Sequence, residues 1–581
     1  MKAIRLNDIS RFCRRVWQFR GRYAGLGLRG GGLMLLFLMY WVVFKYIDPV
    51  GLESATKSAS GQFFSAITEP FYGYGSHGRS QSHIAVVEIS DDSLGYFGEA
   101  WPISYHRHAY LLKQILDAKP AAILVDIYFN GERQNDDLHA LDGVLAQARQ
   151  MHVPIFFVHG IPGDPTGMLP APLTPYQVYS GWVGEKPGMY PLHVHVPGGD
   201  EEATAPTAAF AMYSALCADR WRNLCHVDES FEEPAFVRWG VYVDPVQKQV
   251  FNSSGGCVDA TAGGASRVWR AIGTGFDALW GQWVPPRENA CFYPLTMDAA
   301  LLDNISPRTN RPYTDVLQGR AVFYGGDLAA MHDVVNAPAI GQIPGVQLHA
   351  MAFDNLLTYG TQYFHEAPGF IKTRYLSLDR AEMVELVLWM ALSLSLVIKH
   401  LRAIEKNQAP SRTGSEQNTK VAEKKTGRRA PPRKHDGSPR HRLFSRAKIV
   451  AAAVFCTVCC VLDLGSRHIF SPVLIGLYGF VFILIVLMPI EFETRTYLRK
   501  LRQVLCISAV AFCVNELFFH WPNTDWIGLA LLWFTVPEVN EDNSPVQSIS
   551  SFCSSIWRRL VVRYERTKTF MNLGHNTGQD K

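Results

Sequence analysis

Apolar residues in this chain fall into two patterns: short runs bounded by polar residues, as strands have, and long runs without charge, as membrane spans have. His83–Asn130 is the clearest block of the first kind. Ile84–Ile89 predicts a strand, Asp91-Asp92-Ser93 an acidic turn, and Trp101-Pro102 restarts the chain. From His108, Leu111, Leu112, Ile115 and Leu116 recur at helical spacing, and Lys119-Pro120 stops that helix. Ala121–Ile127 predicts a second buried strand with Asp126 near its end. Asp137–Met151 repeats the helical spacing through Leu138, Leu141, Leu145 and Ala148, and Val153–Val158 predicts a third strand ending at His159-Gly160. This β-α-β-α-β order predicts an α/β domain with an open, mostly parallel sheet and right-handed crossovers. Arg320–Tyr324 predicts another buried strand, and Gly345–Leu357 a helix with His349, Ala350, Phe353, Leu356 and Leu357 on its apolar side.

Residues 161–300 break the rhythm with recurrent Pro, Gly and aromatic residues. They predict a long irregular insertion holding a few hairpins and a helix near Thr207–Arg222. Val50–Tyr74 predicts a helix or stalk leading into the α/β domain.

The long apolar runs add a membrane. Leu33–Ile47, extended by Gly30–Gly32, and Met383–Ile398 flank the α/β region, and Ile449–Leu464, Ile469–Ile490, Val504–Phe519 and Trp526–Val536 follow it. These predict an α-helical transmembrane bundle of six spans, with four spans plus a re-entrant or peripheral pair as the alternative. Charge supplies the orientation. Residues 1–30 hold eight Lys/Arg and one Asp, net +7; residues 48–380 hold 21 Lys/Arg and 35 Asp/Glu, net −14; residues 401–448 hold 14 and four, net +10. Basic segments that bracket an acidic one put the acidic one outside. The expected layout is a cytoplasmic N-terminus (1–30), an uncleaved anchor (31–47), an extracytoplasmic domain (48–380), a span (383–398), a basic disordered cytoplasmic segment (401–448), membrane hairpins (449–536) and a cytoplasmic tail (537–581). The location implied is a bacterial inner membrane with the large domain in the periplasm. Trp521 and Trp526 suit the interface, and Asp463, Asn515 and Glu516 sit near span ends.

Four of the eleven cysteines fall outside by this layout: Cys217, Cys225, Cys257 and Cys291. An even set in an oxidising compartment predicts disulfides, with three pairings open. The one CxxC, Cys456 to Cys459, lies in an apolar run and has no second pair, which argues against structural zinc.

In open α/β sheets ligands bind beyond the carboxyl ends of the strands. Those ends deliver Asp91, Asp92 and Ser93, then Asp126, His159, Asp327 and, further on, Asp333. Carboxylates converging on an imidazole suit a cationic ligand or a perturbed acid/base pair; Asp91, Asp126 and Asp333 are the candidates for a metal. Each residue has a plain structural alternative. Asp91 and Asp92 suit N-caps, Arg107 an internal ion pair with Asp126 or Asp92, His349 a packed helix face, and Trp101-Pro102 a hydrophobic plug. No GxSxG, P-loop, HExxH, kinase or cyclase signature occurs in the sequence, and which cofactor, if any, the chain holds is unknown from it.

The strand, the Asp-Asp-Ser-Leu, the Trp-Pro, Arg107, the helix and the Ala-Ile-x-x-Asp-Ile-x-Phe stretch resemble the opening of a CHASE2 domain. Leu317–Leu357, with its Gly-bearing strand, Asp333, Pro338 and a Pro-Gly-Val-x-x-His-Ala helix start, is similar to that family's closing segment. The resemblance covers roughly residues 50–380 and implies an extracytoplasmic sensory domain of a bacterial membrane receptor. It carries Asp91, Asp92, Trp101, Arg107, Asp126, Asp333, Pro338 and His349 over as matching positions, without saying what they bind. CHASE2 receptors typically place three spans and then a cyclase or kinase after the sensor; here the spans are present and the output domain is missing.

The function expected is therefore a non-enzymatic sensor that reads a periplasmic cue and signals through its spans to a protein partner. An envelope scaffold contacting partners through residues 161–300, and a periplasmic enzyme using the Asp/His cluster, are the alternatives. The lipid bilayer is the first partner, a homo-oligomer is compatible, and a nucleic acid is not favoured. The 401–448 segment suits anionic lipid headgroups or serves only to fix topology.

Overall fold

The computed structural model describes residues 31–47, most of 52–408 and most of 519–535; the stretches 130–135, 161–168, 251–263 and 281–291 are among those outside it. The N-terminal half begins with helices α1 (Gly31–Lys45) and α2 (Leu52–Thr68). It continues through β1 (Ile84–Ser90), α3 (Asp91–Phe97), α4 (Tyr105–Asp117), β2 (Ala122–Asp126), α5 (Asp142–Gln150), β3 (Ile155–His159) and β4 (Gln177–Tyr179). A subdomain follows: β5 (Met189–Tyr190), β6 (His193–Val196), β7 (Ala203–Pro206), α6 (Ala208–Ala218), β8 (Ala235–Phe236), α7 (Gln247–Val250) and α8 (Gly264–Trp280). The chain then returns to the sheet as β9 (Leu295–Asp298) and β10 (Ala321–Asp327), makes the hairpin β11 (Val334–Ala337) and β12 (Gly341–Pro344), and enters α9 (Gly345–Tyr359). A last hairpin, β13 (Gly369–Lys372) with β14 (Ser377–Asp379), leads into α10 (Arg380–Gln408), and α11 (Trp526–Thr535) stands near the C-terminus.

The main sheet has six strands in the order β4-β3-β2-β10-β1-β9, all parallel. Alternate residues of each strand feed two separate cores, which is why the strands read as continuous apolar runs. Ala85, Val87, Ile89, Ile123, Val125 and Val322 pack with α4 and α5, through residues such as Leu112, Ile115 and Leu145. Ile84, Val86, Leu124 and Phe323 pack on the opposite face with α6 and α9, through Met212, Leu216, Met351 and Phe353. The strand-to-helix turns are capped by serine. Ser90 Oγ accepts Ser93 N–H (3.1 Å) at the start of α3, and Ser104 Oγ accepts Arg107 N–H (3.1 Å) at the start of α4.

Asp91-Asp92-Ser93, expected as a turn, is the first turn of α3. Residues 161–300 are not an appendage: β4 and β9 form the two edges of the main sheet, and α6 covers one of its faces. The exposed edge of β9 is blocked by one side chain. Gln247 donates to Thr296 O (2.6 Å) and accepts Thr296 N–H (2.7 Å), so its amide stands where a further strand would pair. The expected helix near Thr207–Arg222 is α6; the amphipathic α8 packs on α2.

A third core gathers the base of the domain: Leu33, Phe37 and Trp41 of α1, Phe64 and Ile67 of α2, Trp389 and Val397 of α10, and Trp526 and Leu529 of α11. Trp389 Nε1–H donates to Phe37 O (2.9 Å), tying α1 to α10. Within α10, Arg380–Ile398 is long and apolar enough to cross a membrane, with mean hydropathy 1.9; α1 is apolar but shorter. The expected spans at 449–464 and 469–490 and nearly all of that at 504–519, together with Asp463, Asn515, Glu516 and the 401–448 segment past Gln408, lie outside the described residues.

Candidate functional site

The strand register sets three carboxylates at one level. Asp298 of β9 pairs with Glu88 of β1, Glu88 with Gly325 of β10, and Gly325 with Asp126 of β2. Glu88 and Asp126 lie two residues beyond Val86 and Leu124, so they share the face covered by α9. Gly325 is what lets the helix settle there: a Cβ on it would lie 2.6 Å from Val346 Cβ. The first turns of α9 therefore rest on a row of acidic positions, where the positive end of the helix dipole favours negative charge. Gln347 Nε2–H donates to Glu88 Oε1 (2.7 Å) and to Thr296 Oγ1 (3.1 Å). His349 Nε2 stands 3.7 Å from Asp126 Oδ1.

The other imidazole nitrogen is fixed from outside the sheet. Tyr190 of β5 places its hydroxyl 2.7 Å from His349 Nδ1 and accepts Ala209 N–H (3.0 Å). With the phenol donating to Nδ1, the imidazole proton sits on Nε2 and faces Asp126. Burial pushes the Asp126 carboxyl up to about 7, and it pushes His349 down to about 4 against the pull of Asp333. Asp333 overhangs the start of α9: a Cβ on Gly345 would fall 2.6 Å from its Oδ1, so a larger residue there would push the carboxylate aside. Desolvation first, and the Asp126 charge next, push the Asp333 carboxyl upward. The group as a whole is a neutral imidazole beside two carboxyls that hold protons more tightly than carboxylates in water.

α9 also reaches the far end of the domain. Tyr72 O–H donates to Asp354 Oδ2 (2.5 Å), and Asn355 clamps the Arg238 backbone through both its N–H (3.0 Å) and its carbonyl (2.9 Å). The Arg238 guanidinium donates to Tyr359 Oη (2.5 Å) and lies over the rings of Phe64 of α2 (5.7 Å) and Phe364 (4.7 Å). One helix thus joins the strand-end carboxylates to the base.

A family model for the CHASE2 domain matches residues 34–395. The chain belongs to the CHASE2 family. No curated protein and no solved structure matches it. The family is extracytoplasmic and sensory rather than catalytic, and no further domain is found beside it. The match extends past the 50–380 expected, into α1 and α10 on either side.

Of the ten residues expected at a CHASE2 ligand site, the structure gathers Asp126, Asp333 and His349. Asp91 and Asp92 are exposed on the first turn of α3, with Asp91 Oδ2 accepting Ala329 N–H (3.1 Å). Ser93 Oγ–H donates to Asp298 Oδ1 (2.6 Å), and Ser90 Oγ–H to the other oxygen of the same carboxylate. Arg107 pairs with neither Asp126 nor Asp92; its Nε–H meets Glu99 Oε1 at 2.9 Å, and its guanidinium lies over Phe97. The reason is local: Glu99 is also held by Ser104 N–H (3.1 Å), so the pair forms around the start of α4. Trp101 packs edge-on against His108, whose Nδ1 is 2.9 Å from Tyr324 Oη. His159 lies between the rings of Tyr128 and Tyr179. Asp327 ends β10 beside Ser90. Pro338 lies outside the described residues.

Among the described residues no group of three His, Cys, Asp or Glu side chains is placed to hold a metal ion. Cys217 and Cys225 form a disulfide that closes the end of α6; Cys257 and Cys291 lie outside the described residues. Sequence reasoning missed Glu88, Tyr190, Asp298 and Gln347. Glu88 carried a signal, being the one charge inside an otherwise apolar strand.

Proposed function

We propose that the chain is a multi-pass bacterial inner-membrane sensor with its CHASE2 domain in the periplasm. It reads a small extracytoplasmic ligand at the strand ends and passes the state of that site through α9 to the helices at the base, and from them to a protein partner. The observation that carries this reading is the double attachment of α9. His349 and Gln347 meet Asp126 and Glu88 near one end, while Asp354, Asn355 and Tyr359 hold Tyr72 and Arg238 near the other. A helix of 15 residues is about 22 Å long, long enough to join the two attachments. A ligand that binds one setting of α9 better than another shifts the population of both ends.

The site's charge indicates the kind of ligand. Asp126 and Asp333 face a neutral imidazole, so a hydrogen-bond donor or a cationic group supplies what the pair lacks. The test is a thermal-shift screen of amines and other cationic small molecules on the full chain in lipid nanodiscs. A ligand of this site raises the unfolding temperature of the wild type and leaves Asp126→Asn unmoved. Equal shifts in both proteins place the ligand elsewhere and remove the support for this site.

A further inference from the structure

A second buried ionic assembly lies at the base, away from the strand ends. Lys45, at the end of α1, extends its Nζ to Glu385 of α10 (2.8 Å), Asp525 just before α11 (2.9 Å) and Glu53 of α2 (3.2 Å). One ammonium therefore ties α1 to three segments that lie 8, 340 and 480 residues from it along the chain. The segment carrying Asp525 is also held by its backbone. Asp525 N–H donates to Glu385 Oε1 (2.8 Å), Gly528 N–H to Asp525 Oδ1 (2.7 Å) and Ile527 N–H to Ser60 Oγ of α2 (3.3 Å). Just upstream, His520 O accepts His365 N–H (3.0 Å), and the His520 ring sits edge-on to Phe364, 4.9 Å between centroids. Phe364 in turn carries the Arg238 guanidinium on its face.

We propose that the Lys45 assembly is a latch fastening residues 520–535 to the base of the CHASE2 domain, so that the C-terminal segment, beside α10, reads the state of that base. The contacts place His520 and Asp525 on the same side of the membrane as the domain, which makes α11 the start of an inward-running helix.

The latch responds to protons because its charges do not balance. Lys45 faces three carboxylates, and the adjoining Lys57 (3.6 Å from Asp379) adds one ammonium against Asp379 and Glu382. Two cations thus meet five carboxylates, Glu53, Asp379, Glu382, Glu385 and Asp525, in a largely water-excluded place. A proton held there is stabilising. Glu53 is the group placed to hold it: burial pushes its carboxyl up to about 7 against the pull of Lys45. Burial likewise raises Asp525, with Lys45 opposing and Glu385 adding. A carboxyl whose fastened-state pKa is raised strengthens the latch at low pH and loses that contribution as pH rises through 7.

Hydrogen exchange on the full chain in nanodiscs tests this, read at the amides of His365, Asp525, Ile527 and Gly528 after correction for intrinsic exchange rates. One carboxyl titrating near 7 gives the wild type about a 10-fold loss of protection between pH 6 and 8.5. Glu53→Gln keeps the pH 6 protection at pH 8.5. Lys45→Met loses protection at both pH values. Wild-type protection that is flat with pH, an undiminished pH dependence in Glu53→Gln, or unchanged protection in Lys45→Met each overturns the latch. Glu53→Gln keeps the size of the side chain and decides the matter even where Lys45→Met does not assemble.

Discussion

Asp126 and His349 face each other and titrate in opposite directions, so each masks the other's effect on stability. The Asp126 carboxyl is raised to about 7, so the stability it brings is complete below about pH 4 and is lost as pH rises through 7. His349 is lowered to about 4, so its contribution is complete above its ordinary 6.5 and is lost as pH falls towards 4. Asp126→Asn removes a buried charge from the ionised state. Its stability relative to wild type should rise steadily between pH 4 and 8, reaching a gain of about 1–3 kcal/mol at pH 8 in denaturant unfolding. The cost of His349→Gln should shrink as pH falls from 7 to 4. A pH-independent difference for both variants would show that neither group titrates in this window. At this scale Asp126 was legible from the sequence because it ends a strand, and Asp333 and His349 because they match positions of the CHASE2 resemblance. Tyr190 was not, since its partner His349 lies 159 residues further along the chain. Neither was the role of Glu88, whose burial depends on Gly325 beside it and Gln347 above it.

Among elements, α9 matters most, and Gly325 sets how closely it approaches the sheet. Gly325→Ala puts a methyl 2.6 Å from Val346 Cβ, inside a packed core. Overpacking of that kind costs about 1–3 kcal/mol, and Val346→Ala on the same chain should recover part of the loss. The pair is measured by a double-mutant cycle in denaturant unfolding; simple additivity would show that α9 does not rest on Gly325 as described. The long apolar strands β1, β2, β3 and β10 and the helices α4, α5, α6 and α9 were all readable from periodicity, because each is buried along a continuous run or stripe. The sheet edges were not. β4 and β9 are three and four residues long, and they sit in Pro- and Gly-rich sequence, where only the register of their neighbours makes them strands. The insertion of β10 between β1 and β2 is likewise a long-range pairing that no local pattern carries. Arg107 was misplaced for the opposite reason: Glu99, eight residues away, outcompetes the more distant carboxylates.

Over the whole molecule, the charge partition predicts a membrane protein with an acidic outer domain, and the CHASE2 family to which the chain belongs is extracytoplasmic. What the sequence does not display is how the base is assembled. Trp389 is fully buried and bonded to α1 across 352 residues, while the Lys45 latch brings in a segment beyond position 519. A chain built this way passes a change at the strand ends to the α1–α10 pair if α9 moves as one body. Fluorine NMR of the full chain in nanodiscs, with fluorotryptophan incorporated and the Trp389 resonance assigned by Trp389→Phe, reads that transfer directly. At pH 8, Asp126→Asn should move the Trp389 resonance. A variant that shifts resonances of the α/β domain, such as that of Trp101, and leaves Trp389 where it was would contradict the transmission of the site's state to the helices at the base.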